Sequence, residues 1–152
     1  MLTLAGASAS AEAISEEEWV TTFVRFVDWP VPPPDNVIVV CQPPSSALLA
    51  IQGVQVHGMT LQPVQLKRVS DAERCHVFTA MSQREADWLP WIGKFKSRAT
   101  LTLGVGPRFC EAGGAICVVK DEATGVEKYQ VNLDAMARAG LKVRFPLLRH
   151  QR

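Results

Sequence analysis

Between Ala99 and Leu133 the chain compresses three β-rich runs and two cysteines into about a quarter of its length. The runs are Ala99-Thr-Leu-Thr-Leu-Gly-Val105, Ala115-Ile-Cys-Val-Val119 and Lys128-Tyr-Gln-Val-Asn-Leu133. Cys110 and Cys117 stand seven positions apart around a glycine pair, Gly113-Gly114. Runs of this composition bounded by glycine read as strands, and the polar turn from Asp121 to Gly125 makes the last two a hairpin. The glycine pair lets the backbone turn inside the loop that the cysteines bracket. Whether those cysteines form a staple, a metal site or a redox centre decides what chemistry the chain can do.

A chain of 152 residues is long enough for one domain with a core that needs no metal or cofactor. With 47% hydrophobic and 20% charged residues it has the balance of a globular protein. The formal net charge of +1 supplies no basic surface for phosphate, so no nucleic-acid partner is expected. No stretch reaches the roughly 18 consecutive apolar residues of a membrane span.

Residues 1–12 are small and apolar and then switch to acidic at Glu12. Ala7/Ala9 and Ala9/Ala11 offer Ala-x-Ala cleavage options, although the basic leader of a secretory signal is missing. The segment reads as a signal-peptide remnant or a disordered N-terminus, ahead of a domain over 13–152.

The pattern then predicts elements in order. Ser15-Glu-Glu-Glu18 is a capping box opening a helix whose apolar stripe is Trp19, Val20, Phe23, Phe26 and Val27. Trp29-Pro30 and the prolines at 32 to 34 stop it. Val37 to Cys41 is a continuous apolar run, expected to be a strand buried on both faces. Ser45 to Ile51 reads as a short helix, and Leu61 to Val69, interrupted by Pro63, as a strand nearer an edge. His76 to Ala80 is a further strand, and Ser82-x-x-Glu85 a second capping box. The stripe behind it is Trp88, Leu89, Ile92 and Phe95. Asn132 caps a last helix that Gly140 closes, and Leu141, Val143, Leu147 and Leu148 dock the ending. The alternation predicts a single-domain α/β sandwich. Its mostly parallel, Rossmann-like sheet is flanked by helices and carries an antiparallel hairpin at one edge.

The four cysteines, Cys41, Cys75, Cys110 and Cys117, contain no C-x-x-C, so neither zinc nor a thioredoxin-like centre is expected. Three disulfide connectivities are open in principle. We choose Cys41–Cys75, ends that parallel neighbouring strands would bring together, and Cys110–Cys117, which close a local turn. The chain-entropy argument assigns about 4 kcal/mol to the longer loop and about 2.5 kcal/mol to the shorter. His57, His76 and His150 fall in no ligand spacing, and His76 reads as a partly buried structural residue. No G-x-S-x-G surrounds a serine, Gly104-Val-Gly106 lacks the third glycine of a dinucleotide loop, and Glu16 to Glu18 serve the helix cap. No catalytic constellation emerges, so no enzyme, cofactor or metal is expected. Among cations, Arg25, Lys142 and Arg144 stand in apolar contexts and form a candidate anion pocket.

Several motifs resemble the YfiR family of bacterial periplasmic proteins. Phe23-Val-Arg-Phe-Val-Asp-Trp-Pro30 is similar to its F-x-R-F-x-x-W-P opening, and Cys75-His-Val-Phe78 to its C-H-V-L strand. Phe109-x₃-Gly113-Gly114-x-Ile116 resembles its F-x₃-G-G-x-I segment. The stretch from Tyr129-Gln-Val-Asn132 through Ala139-Gly-Leu141 to Leu147-Leu-Arg149 is similar to its ending, with departures at Gln130 and Phe145-Pro146.

The resemblance implies a periplasmic, non-catalytic regulator. It would bind the periplasmic sensor region of an inner-membrane, YfiN-like diguanylate cyclase and hold it inactive, lowering cyclic di-GMP and biofilm formation. An OmpA-like outer-membrane lipoprotein would sequester the regulator. The family's members form homodimers and carry two disulfides that match Cys41–Cys75 and Cys110–Cys117 and report the redox state of the compartment. The expected partner or dimer surface comprises Phe23, Phe26, Trp29, Phe109, Ile116, Tyr129 and Leu133. The rival reading is a periplasmic small-molecule sensor module without a cyclase partner.

Overall fold

The computed structural model describes residues 14–144. The signal-like residues 1–12 and the ending that includes Leu147, Leu148 and Arg149 lie outside the described residues. The helices are α1 (Glu16–Phe26), α2 (Glu85–Ile92), α3 (Pro107–Glu111) and α4 (Leu133–Ala139). The strands are β1 (Val27–Asp28), β2 (Val37–Gln42), β3 (Gln55–Val56), β4 (Met59–Gln65), β5 (Val77–Thr79), β6 (Leu101–Val105), β7 (Ile116–Lys120), β8 (Glu127–Val131) and β9 (Lys142–Val143).

Helix α1 starts where its cap dictates. The Ser15 hydroxyl accepts from the Glu18 amide at 3.1 Å while the Glu18 carboxylate accepts from the Ser15 amide at 3.1 Å. Trp19, Val20, Phe23 and Val24 form its buried stripe. The helix ends at Phe26, before the prolines, because Val27 and Asp28 extend and pair antiparallel with Val143 and Lys142. That tertiary ladder outcompetes the helical period at Val27.

Seven strands form one sheet in the order β3-β4-β2-β5-β6-β7-β8. The five inner strands are parallel, and each edge is closed by an antiparallel hairpin. The α/β class therefore holds, with a hairpin at both edges rather than one. The additional hairpin, β3–β4, turns at His57 and Gly58, both with positive φ (52° and 77°), as a two-residue hairpin of right-handed twist requires. Pro63 sits inside β4 without breaking it: it pairs with Val40 of β2, while β3 reaches only Thr60 and Met59 on the other side.

Alternation along the strands splits the core between the two faces of the sheet. Ile38, Val40, Val77, Ile116 and Val118 meet α1 and α4 on one face. Cys41, Phe78 and Cys117 point to the other, against Trp88, Ile92, Phe95 and Phe109. As expected, Val37–Cys41 lies inside the sheet with residues buried on both faces.

Two expected elements are absent for identifiable reasons. Residues 45–51 form no helix, because the buried Gln42 side chain takes over the backbone groups of that loop. Its Oε1 accepts from the Leu49 amide at 2.9 Å and its Nε2 donates to the Ala47 carbonyl at 2.7 Å. The second capping box also fails. Helix α2 begins at Glu85 behind Arg84, which makes no side-chain cap, while Ser82 donates to Glu16 instead. Leu89 is 39% exposed, leaving Trp88, Ile92 and Phe95 as the buried stripe.

Candidate functional site

Both disulfides form as paired above, Cys41–Cys75 and Cys110–Cys117, each with Cα atoms 5.8 Å apart. Cys41 lies on β2 and Cys75 just before the parallel neighbour β5. Cys110 lies in the last turn of α3 and Cys117 on β7, so this bridge ties a helix down onto the sheet. All four sulfurs serve the face that holds Phe78, Trp88 and Phe109. Among the described residues no cysteine is free and no three His, Cys, Asp or Glu side chains gather as a metal site.

The glycine pair divides its work. Gly113 makes the turn, with φ at 113°. Gly114 instead permits close approach: a Cβ there would lie 2.2 Å from the Phe109 ring and 2.8 Å from its carbonyl oxygen. Gly104, which lies inside β6, meets the opposite edge of the same ring, where a Cβ would also lie at 2.2 Å. Phe109 is fully buried between them and meets Trp88 edge-on at 4.9 Å.

Phe23, Phe109, Ile116 and Tyr129, four of the seven residues expected at a partner surface, are interior instead. Helix α1 lies flat on the sheet, so the Phe23 ring meets Tyr129 edge-on at 5.4 Å, and burial pushes the Tyr129 phenol up. Phe26 and Trp29 are half-buried, and Leu133, opening α4, is 55% exposed. The amide of Ala135 donates to Asn132 at 3.0 Å, the expected cap, and Gly140 closes the helix in the left-handed region.

The β1–β9 ladder gathers the basic residues. The Arg144 amide donates to the Phe26 carbonyl at 2.7 Å, next to Arg25, and Lys142 stands opposite Asp28 in register. The Arg144 guanidinium donates to Asp28 at 3.0 Å and lies 3.2 Å from His57 Nε2 on the β3–β4 turn. Arg144 thus pairs with the Asp28 carboxylate while Lys142 stands opposite it in the ladder and Arg25 lies one residue from the Arg144-bonded Phe26. Sequence reasoning missed Asp28 and His57, which join Arg144 only through contacts 116 and 87 positions apart. The His57-Gly58 turn was the single local signal.

The sheet reverses its strand order between β2 and β5, and in open α/β sheets ligands enter the crevice beyond the carboxyl ends at such a point. Here the protein's own side chains occupy it. On the β5 side the Glu16 carboxylate accepts from the Thr79 hydroxyl at 2.6 Å, the Met81 amide at 3.1 Å and the Ser82 hydroxyl at 3.0 Å. On the β2 side Gln42 fills the loop described above.

No helix in the described residues is long and apolar enough to cross a membrane. No curated protein matches the chain significantly. Among solved structures it is similar to a conserved domain protein from Vibrio cholerae O1 biovar El Tor (TM-score 0.61, 15% identity, 92% of this chain, 60% of that one). It is also similar to an ABC domain from Streptococcus pneumonia, solved in complex with L-Trp (TM-score 0.53, 11% identity, 86% of this chain, 59% of that one). The chain therefore spans about three-fifths of each, and at these identities the likeness is one of fold. The sequence profile of the YfiR/HmsC-like family matches residues 15–150, which takes in every element above. The chain belongs to the YfiR/HmsC-like family.

Proposed function

We propose that the protein is a periplasmic regulator that binds the sensor region of an inner-membrane, YfiN-like diguanylate cyclase and represses it, lowering cyclic di-GMP and biofilm formation. The observation that carries this reading is the family match over residues 15–150. Two closed disulfides support it, since such bonds persist in oxidising compartments. On this reading the protein is not an enzyme, acts as a homodimer, and is sequestered by an OmpA-like outer-membrane lipoprotein when the cyclase is released. Phe26, Trp29 and Leu133 supply the accessible apolar part of the partner or dimer surface. The corner of Arg25, Lys142 and Arg144 receives an acidic group, from the partner or from a small anion.

The test is a pull-down with the periplasmic region of the cognate cyclase, under oxidising and reducing conditions. Capture in the oxidised state and its loss on reduction are expected. Failure to capture the cyclase in the oxidised state overturns the reading in favour of a sensor module without a cyclase partner.

A further inference from the structure

At the end of the sheet opposite the Glu16 crevice, where the parallel strands begin, the surface opens into a cleft of two lobes, about 320 and about 440 Å³. Pro34, Glu73, Arg74 and His76 are common to both. Trp29 and the prolines after it wall one lobe; Val37 and Val39 wall the other. These volumes fall in the range that small-molecule sites occupy, and mostly apolar walls with a few fixed polar groups are their usual make-up.

His76 is the fixed polar group. Its amide donates to the Val39 carbonyl at 3.0 Å, and the Val39 amide donates back to the imidazole Nδ1 at 3.0 Å. Accepting through Nδ1 assigns the ring proton to Nε2 and leaves that N–H as its donor in the cleft. Burial pushes the imidazole pKa down, which keeps this single-donor form. The Trp29 indole donates to the His76 carbonyl at 3.0 Å, so the aromatic wall and the donor are set relative to each other. The Arg74 side chain, exposed beside them, makes no hydrogen bond or close ion pair with the described residues. Arg98 meets Glu73 only at 3.8 Å. Asp71 acts on the Arg74 guanidinium only through space, so that guanidinium is left as a donor without a hydrogen-bonded acceptor.

We propose that this cleft binds a small organic anion, with a flat apolar body against Trp29 and the prolines and a carboxylate received by His76 Nε2–H and Arg74. The site is separate from the basic corner at Arg144 and does not depend on the regulatory reading. Because Cys75 also lines the cleft, the Cys41–Cys75 disulfide fixes the position of His76 next to it.

The probe is 2-naphthoate, titrated into the disulfide-intact chain by calorimetry and followed by amide and indole NMR shifts. Saturable binding is expected, with shifts centred on the Trp29 indole and the amides of residues 74–76. Arg74→Ala, an exposed change that leaves the fold intact, should weaken binding about tenfold, in line with the loss of one charge-assisted bond. The neutral 2-naphthamide should lose as much. The proposal is overturned if binding does not saturate, or if Arg74→Ala or the amide binds as tightly as parent and acid.

Discussion

Glu16, the first residue of α1, accepts a hydrogen bond from Thr79 at the end of β5 at 2.6 Å, across 63 positions of chain. The same carboxylate takes the Met81 amide and the Ser82 hydroxyl, so three donors that would otherwise face the switch-point crevice are satisfied from within. Glu16 thereby locks α1 onto the sheet and closes the position where α/β folds commonly admit ligands. Glu16→Gln keeps the shape but gives up one charged acceptor, and it should lower stability by about 1–2 kcal/mol in chemical denaturation. Glu17→Gln, whose carboxylate meets only the Ala50 amide at 3.3 Å among the described residues, should change stability by less than about 0.5 kcal/mol. A Glu16→Gln/Thr79→Val double-mutant cycle with no coupling energy would refute the lock.

Gly114 should tolerate no side chain. A Cβ there would sit inside the Phe109 ring and against its carbonyl oxygen, and the Cys110–Cys117 disulfide, with Cys110 inside α3, prevents that helix from retreating. Gly114→Ala should cost about 3 kcal/mol or more, at the upper end of overpacking. Replacing Phe109 by Leu in the same chain frees space and should recover part of that loss. Equal stability of Gly114→Ala and the parent in thermal melts would show that the ring is free to move aside.

The two disulfides close loops of very different length, 34 and 7 positions. On the chain-entropy account, Cys41→Ser/Cys75→Ser should destabilise by about 4 kcal/mol and Cys110→Ser/Cys117→Ser by about 2.5 kcal/mol. Both bridges belong to one side-chain cluster around Phe78 and Phe109, so removing both should depart from additivity. Denaturation of the three variants checks the order, and a cyclase reporter checks function. If the Cys110→Ser/Cys117→Ser protein kept full stability and full repression, that bridge would be no staple.

What the sequence made legible was local. The Ser15–Glu18 box, the Asn132 cap and Gly140 depend on neighbours within a few residues, and all three form as read. Val37–Cys41 was legible because a run buried on both faces needs no partner to be named. What was hidden is long-range competition. Ser82 and Glu16 each looked like a cap residue, and only the fold reveals that they bond to each other. Gln42 replaces a helix that the loop's composition suggested. Phe23 and Tyr129 looked like surface aromatics until α1 was laid across β8. For the basic corner, Arg25, Lys142 and Arg144 could be picked by context, but Asp28 and His57, which decide its net charge and shape, could not.

His76 gives the fold a pH dependence of predictable sign. Burial holds its folded pKa below the ordinary 6.5, and the Val39 amide needs the unprotonated Nδ1 as its acceptor. Above about pH 6.5 the ring is neutral in both folded and unfolded chains and costs nothing. Below that value the unfolded chain takes up a proton that the folded one resists, so stability falls with pH until the folded ring titrates too. One full proton would give about 1.4 kcal/mol per pH unit, and the ring's contact with solvent keeps the slope well under that. His76→Gln preserves an acceptor for the Val39 amide without a titrating group. Urea denaturation between pH 7 and 5 should therefore show a shallower decline for His76→Gln than for the parent. Parallel declines would mean that His76 is no more reluctant to protonate in the folded chain than in the unfolded one.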